Sequence, residues 1–342
     1  MKHLFCVHSS ITFYISKGII SFLDINPDDV IFFIDNHYVN KYEKEIYNSV
    51  DGTEIMTLFK SISIGKFLRL PLSIRKLDAF VREATTNEKY ILYIPNTTSS
   101  ACQSMITNSL CAGYNLIEEG IGSYKKELFK RPPVLFHGIK HYLLKGLDFF
   151  SNRIEFEHPF LAPYRKSSLR PKYFYFKSDI EPLTDDFIQV PFPKYNGFLP
   201  LEYGSHIFIV SPLLEYNLIS EKSFISSISY LVNKLKNNCN TLYIKYHPFQ
   251  DCKVKALIEK KIEEESIKTS VINDDEPMEP LIMSNRKLFL YGYESSLLFY
   301  ASQDDTNRVY SLDDYVYKLD NLYRIHKKGI SYELLFRHIE QL

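Results

Sequence analysis

The amino-acid sequence predicts an α/β protein made of two Rossmann-like domains. Short runs rich in β-branched and aromatic residues alternate with segments of helical spacing, a pattern typical of parallel sheets. The alternation occurs twice, and a proline-rich stretch separates the two occurrences. A length of 342 residues exceeds what one hydrophobic core usually supports. We therefore expect domains over residues 1–190 and 191–342, facing each other across a cleft.

Four strands are predicted in the first domain. They are the short apolar runs HLFCVHS, DVIFFID, KYILYIP and GYNLIEEG. The helices predicted between them are ITFYISKGIISFLD, a stretch over 71–85, and SSACQSMITNSL with Ser99 or Ser100 as its N-cap. Because strands and helices alternate, the strands should be parallel, with ligands beyond their carboxyl ends.

The second domain repeats this alternation after an interruption. Residues from about 130 to 200 are rich in proline, which predicts a crossover linker. The strands predicted beyond it are HIFIVSP, NTLYIKYHP, TSVIND and KLFLYGYESS. The helices predicted there are EKSFISSISYLVNKLKNN, CKVKALIEKKIEEE, EPLIMSN and one that begins with SLLFYAS.

The composition argues against several classes of protein. Lys and Arg together number 41, as do Asp and Glu, so no net charge attracts nucleic acid. The five cysteines lack Cys-x-x-Cys spacing, which argues against a zinc site or a disulfide framework and favours a reducing compartment. Neither a Gly-x-Gly-x-x-Gly motif nor a Walker phosphate loop is present, which weakens a dehydrogenase or NTPase assignment.

The expected location is the cytoplasm. The chain begins directly with a predicted strand, without the features of a signal peptide, and has no apolar run long enough to span a membrane. A basic amphipathic stretch, 125–153, could rest on the anionic inner face of a bacterial membrane. The alternative is a solvated helix face.

Two carboxylates, Glu118 and Glu119, precede Gly120 at the end of the fourth predicted strand. Burying charge there is costly, because the strand is apolar. The carboxyl end of such a strand borders the ligand site, so a functional role would explain the two carboxylates. Desolvation in a cleft would raise the pKa of a carboxyl group and suit it to general base catalysis. The alternative is a solvated turn or a helix cap.

Other polar residues of the first domain also follow predicted strands. His8 and Ser9 end the first strand, and Asn96 follows the third. We treat these three residues and Gly120 as candidates for the edge of the cleft. His8 could equally be a packed strand residue, and Asn96 could be a loop cap.

His247 and Pro248 follow a strand of the second domain. Proline ends the strand and fixes the turn, which would hold the imidazole where it can donate a hydrogen bond to an anion. The structural alternative is a histidine whose bonds are satisfied at the strand end. A second His-Pro pair, His158 and Pro159, has acidic neighbours and no clear strand before it, so we discount it.

Two further features of the second domain could bind a nucleotide. Gly292, Ser295 and Ser296 follow a strand and open a helix, where backbone N–H groups and hydroxyls can hold a phosphate. Ser-Ser is also a common N-cap. Glu279 could accept hydrogen bonds from ribose hydroxyls, or be a first-turn glutamate favoured by the helix dipole.

The order of these motifs resembles that in bacterial sialyltransferases. An acidic-acidic-Gly motif is followed by His-Pro after a strand, a Pro-x-Glu helix and Ser-Ser, an arrangement that extends from Glu118 to Ser296. The lipooligosaccharide sialyltransferase and capsular polysialyltransferase groups share these short motifs on a GT-B fold. The resemblance implies that the first domain carries the general base and that the second binds a CMP-sugar donor.

The resemblance also implies the roles of individual residues. Glu119, beside Gly120, would take the proton from the acceptor hydroxyl, with Glu118 as the alternative base. His247 would hydrogen-bond the phosphate of the CMP-activated sugar and stabilise the charge on the departing CMP.

The remaining motif residues would complete the donor site. By the same resemblance, Ser295 and Ser296 would bind the phosphate and Glu279 the ribose, in a site that includes Pro248 and Gly292. The implied reaction is transfer of sialic acid, or a related nonulosonic acid, to a glycan hydroxyl with inversion. No metal cofactor is expected, because the donor carries a single phosphate.

Alternatives to this function are another GT-B transferase that uses CMP-Kdo or a UDP- or GDP-sugar, and a non-catalytic glycan- or nucleotide-binding protein of the same fold. The polysialyltransferases carry an N-terminal extension before the first strand, whereas this sequence starts at that strand. We therefore expect single or limited transfer over polymerisation.

Overall fold

Two parallel sheets with intervening helices form the described part of the chain, which confirms the predicted α/β class. The protein is represented by a computed structural model. It describes residues 1–36, 38, 47–59, 64–124, 152–155, 158–176, 186–193, 201–273, 276–282, 287–293, 295–327 and 339–342. By their contacts the residues divide into two compact units, Met1–Pro193 and Lys194–Leu342.

The first unit contains a seven-stranded parallel sheet in the order β3-β2-β1-β4-β5-β6-β7. Its strands are β1 Lys2–Val7, β2 Val30–Ile34, β3 Asn48–Asp51, β4 Tyr90–Ile94, β5 Cys111–Ile117, β6 Tyr173–Tyr175 and β7 Phe187–Gln189. Its helices are α1 Ser10–Phe22, α2 Thr53–Thr57, α3 Ile64–Ala84 and α4 Ser100–Ile106. The first six strands follow the Rossmann order, in which the connections change direction between β1 and β4.

The second unit repeats this order in a six-stranded sheet, β10-β9-β8-β11-β12-β13. Its strands are β8 His206–Ile209, β9 Thr241–Lys245, β10 Lys268–Ile272, β11 Phe289–Gly292, β12 Arg308–Ser311 and β13 Glu340–Gln341. Its helices are α5 Glu221–Leu235, α6 Cys252–Glu263, α7 Glu279–Ile282, α8 Ser296–Ala301, α9 Asp313–Leu319 and α10 Asn321–Lys327. Two Rossmann-like units are therefore confirmed.

Helix α5 shows how the sequence forms these elements. The side chain of Ser220 caps the helix by accepting a hydrogen bond from the backbone N–H of Ser223. Phe224, Ile228 and Leu231 recur at helical spacing and are fully buried in the core of the second unit. The amphipathic spacing thus fixes which helix face packs on the sheet.

The proline-rich stretch is more than a crossover linker, so that prediction is wrong for part of it. Strands β6 and β7 lie within it and extend the first sheet, with Leu116 of β5 in register with Tyr173 of β6. The hydroxyl of Thr97 donates to the carbonyl oxygen of Pro159 at 3.0 Å, which holds this stretch against the sheet. Strands of three residues are too short to show an alternating pattern, so the sequence does not reveal them.

One cation of the predicted membrane-binding stretch is part of the fold. The guanidinium of Arg153 pairs with the carboxylate of Asp78 of α3 at 2.6 Å. It also donates to the hydroxyl of Thr107 at 2.9 Å. Residues 125–151 lie outside the described residues, so membrane association through 125–153 stays a prediction.

Among the described residues, no helix is both long and apolar enough to cross a bilayer.

A histidine–tyrosine pair occupies the same place in both sheets. The Nδ1 atom of His3 on β1 lies 3.0 Å from the hydroxyl of Tyr93 on β4, and Nδ1 of His206 on β8 lies 2.9 Å from that of Tyr291 on β11. The two rings stack in each pair. In both sheets the tyrosine is in register with the phenylalanine two residues after the histidine. The two units therefore share a local design at their central strands.

Close packing explains why Gly292 ends β11. It is in register with Ile209 of β8, and a Cβ atom added to it would lie 2.7 Å from the carbonyl oxygen of Ile209. The same atom would lie 3.3 Å from Cδ1 of Leu298 in α8. The missing side chain therefore lets the backbone of β8 and helix α8 approach the end of β11.

We expect Gly292→Ala to lower the free energy of unfolding by about 1–3 kcal/mol, because the added methyl group overpacks this junction. Urea denaturation measures the change. Gly113→Ala is the matched control, since a Cβ atom there would meet only Ile91, at 4.0 Å. An equal loss of stability in both variants would contradict the packing role of Gly292.

We also expect stability to fall in mild acid through His3 and His206. Burial lowers the pKa of both imidazoles below the ordinary 6.5, and unfolding restores the ordinary value. Between the lowered pKa and 6.5 the unfolded state binds more protons than the folded state does. The stability contributed by the two neutral imidazoles is therefore complete above pH 6.5 and is lost as the pH falls through that window. Urea denaturation at about pH 7.5 and about pH 5.5 measures the loss.

The double variant His3→Gln/His206→Gln isolates these two groups. It should lose less stability between the two pH values than the parent protein does. An identical pH dependence in the two proteins would show that the pair does not contribute.

Candidate functional site

Polar side chains gather at the carboxyl edge of the first sheet. His8 follows β1, Asp35 follows β2, Asn96 lies two residues beyond β4, and Glu119 lies two residues beyond β5. These four residues line one cavity of about 250 Å³. The cavity includes the ends of β1 and β4, where the connections of a Rossmann sheet change direction and ligands usually bind.

Glu119 is held by hydrogen bonds while it stays accessible. One carboxylate oxygen lies 2.9 Å from Nε2 of His8, and the other accepts a hydrogen bond from Nδ2 of Asn96 at 3.5 Å. Its backbone N–H donates to the hydroxyl of Ser123 at 2.9 Å. The Glu119 side chain is 30% exposed. An oriented carboxylate that lines a cavity can accept a proton from a hydroxyl group bound there.

Glu118 has a different environment. It is fully buried, and its carboxylate accepts a hydrogen bond from the backbone N–H of Phe176 at 2.8 Å. Its own N–H donates to the carbonyl oxygen of Phe174 at 3.1 Å. Glu118 thus continues the pairing of β5 with β6 beyond the end of the ladder. The two adjacent glutamates are separated by the structure, and Glu119 is the one that lines the cavity.

Two other predicted residues have local structural roles here. Gly120 has φ of 121°, a left-handed conformation that favours glycine and turns the chain after Glu119. Ser9 caps α1, with its side chain accepting from the backbone N–H of Thr12. Strand β1 ends at Val7, earlier than predicted, because Ser9 already belongs to the helix cap.

Asp35, Cys102 and Met56 also line the cavity, although no sequence motif pointed to them. The available signal for Asp35 was its position directly after the apolar strand VIFFI. Burial raises the pKa of the Cys102 thiol to about 12, so the thiol stays neutral. Met56 lies on α2, a short helix that the sequence pattern did not predict.

The residues predicted for the donor site follow strands of the second sheet. The backbone N–H of Gln250 donates to the carbonyl oxygen of His247 at 2.9 Å, which closes a four-residue turn with Pro248 in its second position. The N–H of Phe249 donates to Nδ1 of His247 at 3.2 Å. Because Nδ1 accepts this bond, the neutral imidazole carries its proton on Nε2. His247 is therefore a defined hydrogen-bond donor.

Burial lowers the pKa of His247 below 6.5, and the negative charge of Glu215 partly offsets this effect. The imidazole is consequently neutral at neutral pH. Lys245, which ends β9, is 7% exposed and donates to the carbonyl oxygens of Asn273 and Glu276 at 2.6 and 2.7 Å. This lysine ties the strand end to the segment that precedes α7.

Ser295 is the N-cap of α8, which was the structural alternative to phosphate binding for the Ser-Ser pair. Its hydroxyl oxygen accepts a hydrogen bond from the backbone N–H of Leu298 at 3.2 Å and keeps its own proton as a donor. Ser296 is the first residue of the helix, and half-buried Glu279 is the first residue of α7. Strands β9 and β11 flank β8, so His247 and Ser295 belong to the same edge of the sheet.

The His-Pro pair that sequence analysis discounted is structural. His158 is 5% exposed, with Nδ1 lying 3.1 Å from the carboxylate of Glu155 and Nε2 lying 3.1 Å from the carbonyl oxygen of Ala162. Its ring packs edge-on against Tyr164. Both ring nitrogens are therefore occupied within the first unit.

Solved structures similar to this chain share little sequence with it. MnaA of S. aureus in complex with UDP is 10% identical over 99% of this chain and 90% of its own, with a TM-score of 0.47. A glycosyltransferase of Rickettsia africae is 10% identical over 91% and 79%, with a TM-score of 0.47. MurG of Acinetobacter baumannii is 9% identical over 99% and 93%, with a TM-score of 0.39. No curated protein matches the chain.

A family model assigns the chain directly. The model described as alpha-2,8-polysialyltransferase matches residues 7–304, which is most of the chain and includes both candidate sites. This match confirms the resemblance to sialyltransferases that the order of motifs indicated. The chain is a glycosyltransferase that belongs to the alpha-2,8-polysialyltransferase family.

Proposed function

We propose that this glycosyltransferase transfers sialic acid, or a related nonulosonic acid, from its CMP-linked donor to a hydroxyl of a bacterial lipooligosaccharide or capsule. The observation that carries the proposal is the accessible Glu119 carboxylate, held by His8 and Asn96 in the cavity of the first unit. A glycan hydroxyl in that cavity would have a proton acceptor beside it.

In the proposed reaction the acceptor oxygen attacks the anomeric carbon of the donor sugar. Its proton passes to Glu119 while the bond between the sugar and the phosphate of CMP breaks. A single displacement inverts the anomeric carbon and needs one base, without a second carboxylate as nucleophile. Glu119 suits this role better than Glu118, whose carboxylate is buried and bonded to the backbone of Phe176.

The departing CMP carries negative charge, which His247 is suited to stabilise. A neutral imidazole with its proton on Nε2 can donate to a phosphate oxygen. Hydroxyls of Ser295 and Ser296 would donate to the same phosphate, and Glu279 would accept from the ribose hydroxyls. A donor with one phosphate presents less charge than a nucleoside diphosphate sugar, so these neutral donors could replace a metal.

Glu119→Gln tests the assignment of the base. We expect product formation to fall by about 100-fold or more, because the amide cannot take the proton. Affinity for CMP, measured by calorimetry, should be unchanged, since CMP is assigned to residues of the second unit. Unchanged transfer by Glu119→Gln would move the base role to another residue.

Glu118→Gln is the matched control. It should mainly lower the free energy of unfolding, by about 1–3 kcal/mol, because the amide has one acceptor oxygen where the buried carboxyl group has two. Its folded fraction should keep most of the transfer activity.

Thermal unfolding with nucleotides tests the donor. CMP should raise the melting temperature in EDTA, by a stabilisation of about 2.7 kcal/mol at a hundredfold excess over Kd. UDP and GDP should have no comparable effect. A shift with UDP or GDP and none with CMP would instead support a transferase for another nucleotide sugar.

Product analysis separates the remaining alternatives. Incubation with CMP-sialic acid or CMP-Kdo and an array of galactosylated and sialylated acceptors identifies donor and acceptor together. Binding of CMP without any product would favour the non-catalytic protein.

A further inference from the structure

The turn that contains His247 is anchored by a residue from a different strand connection. Glu215 lies in the segment between β8 and α5. One of its carboxylate oxygens accepts from Nε2 of Gln250 at 2.5 Å and from the backbone N–H of Asp251 at 3.0 Å. A single carboxylate oxygen therefore holds the last two residues of the segment that begins at His247.

The other bonds of this segment determine the state of the imidazole. Gln250 donates its N–H to the carbonyl oxygen of His247, and Phe249 donates its N–H to Nδ1. The side chain of Asp251 accepts from the N–H of Lys253 and caps α6. If the end of the turn were released, the bond from Phe249 to Nδ1 would lose its fixed geometry, and either nitrogen could then carry the proton.

From this geometry we infer that Glu215 is a positioning residue, which holds the turn from His247 to Asp251 so that the imidazole presents its Nε2 proton to the phosphate of the donor. The inference rests on the proposed function of His247. It adds a residue that no motif pointed to, because Glu215 acts through Gln250 and Asp251 and does not itself bind the donor.

The burial of this contact supports a specific role. Gln250 is 6% exposed. The second oxygen of Glu215 and the amide oxygen of Gln250 are both buried, and neither accepts a hydrogen bond from the described residues. Buried acceptors of this kind cost free energy, and a solvated loop would avoid that cost. Sites that violate such a local rule are commonly functional.

The negative charge of Glu215 also affects the pKa of the His247 imidazole. It raises the pKa of His247 against the larger lowering caused by burial. Loss of this charge would lower the pKa of His247, whereas loosening of the turn would reduce the burial of the imidazole and raise its pKa. The two effects oppose each other, so the position of the proton on the ring is the measurement that reports the positioning role.

Glu215→Gln, with Glu202→Gln as control, tests the inference in the full chain. Glu202 is an exposed carboxylate of the same unit. In the protein without nucleotide, nitrogen-15 NMR should show His247 with its proton on Nε2 in the parent and in Glu202→Gln. In Glu215→Gln the proton should distribute over both nitrogens. Affinity for CMP should weaken by about tenfold in Glu215→Gln alone, as expected for losing hydrogen bonds to a charged group.

The outcomes separate this inference from the proposed function. If the parent protein fails to bind CMP, the proposed donor is wrong, whereas the NMR measurement still tests the turn. If the parent binds CMP and Glu215→Gln leaves both the affinity and the imidazole spectrum unchanged, Glu215 has no positioning role.

A second variant covers the case in which Glu215→Gln does not fold. Gln250→Met removes one hydrogen-bond donor to Glu215 and leaves the negative charge of Glu215 in place. It should redistribute the imidazole proton over both nitrogens. An unaltered spectrum in this variant would overturn the inference.

Discussion

The parallel register of the central strands is the constraint on which both candidate sites depend. Parallel strands all end at one edge of their sheet, so residues distant in sequence meet there without any local contact between them. In the first unit this brings His8, Asn96 and Glu119 from three strand ends to one cavity. In the second unit, Ile209 is in register with both Lys245 and Gly292, which places the His247 turn and the start of α8 on either side of β8.

The two units use one scaffold for different chemistry. Both have the Rossmann strand order and the same histidine–tyrosine pair across the central strands. The edge of the first sheet carries a carboxylate bonded to an imidazole, which suits a proton acceptor. The edge of the second carries a neutral imidazole donor and hydroxyls at a helix start, which suit a phosphate. The chemical character of each edge thus follows from a few residues beyond the strands.

Burial and bonding distinguish structural charges from those available for chemistry. Glu118 and Lys245 are almost inaccessible. Their side chains form hydrogen bonds with backbone groups and so hold neighbouring segments together. Arg153 is more exposed, at 23%, but its guanidinium is occupied by the carboxylate of Asp78. Glu119 is partly exposed and lines a cavity. A charged residue at a strand end is therefore available for chemistry only when the fold leaves it accessible.

Short-range physics in the sequence determined the alternation of strands and helices, the capping of α5 and α8 by serine, and the turn after β9, where proline follows histidine. It also marked two adjacent glutamates as candidates for a general base. Only the tertiary structure decided which of them lines a cavity, because pairing with β6 buries Glu118 and that strand is too short to leave a pattern. The contacts of Glu215 could not be predicted from the sequence either, since its partners Gln250 and Asp251 lie in another strand connection. Contacts of this kind depend on how distant segments pair, which local propensity and periodicity do not encode.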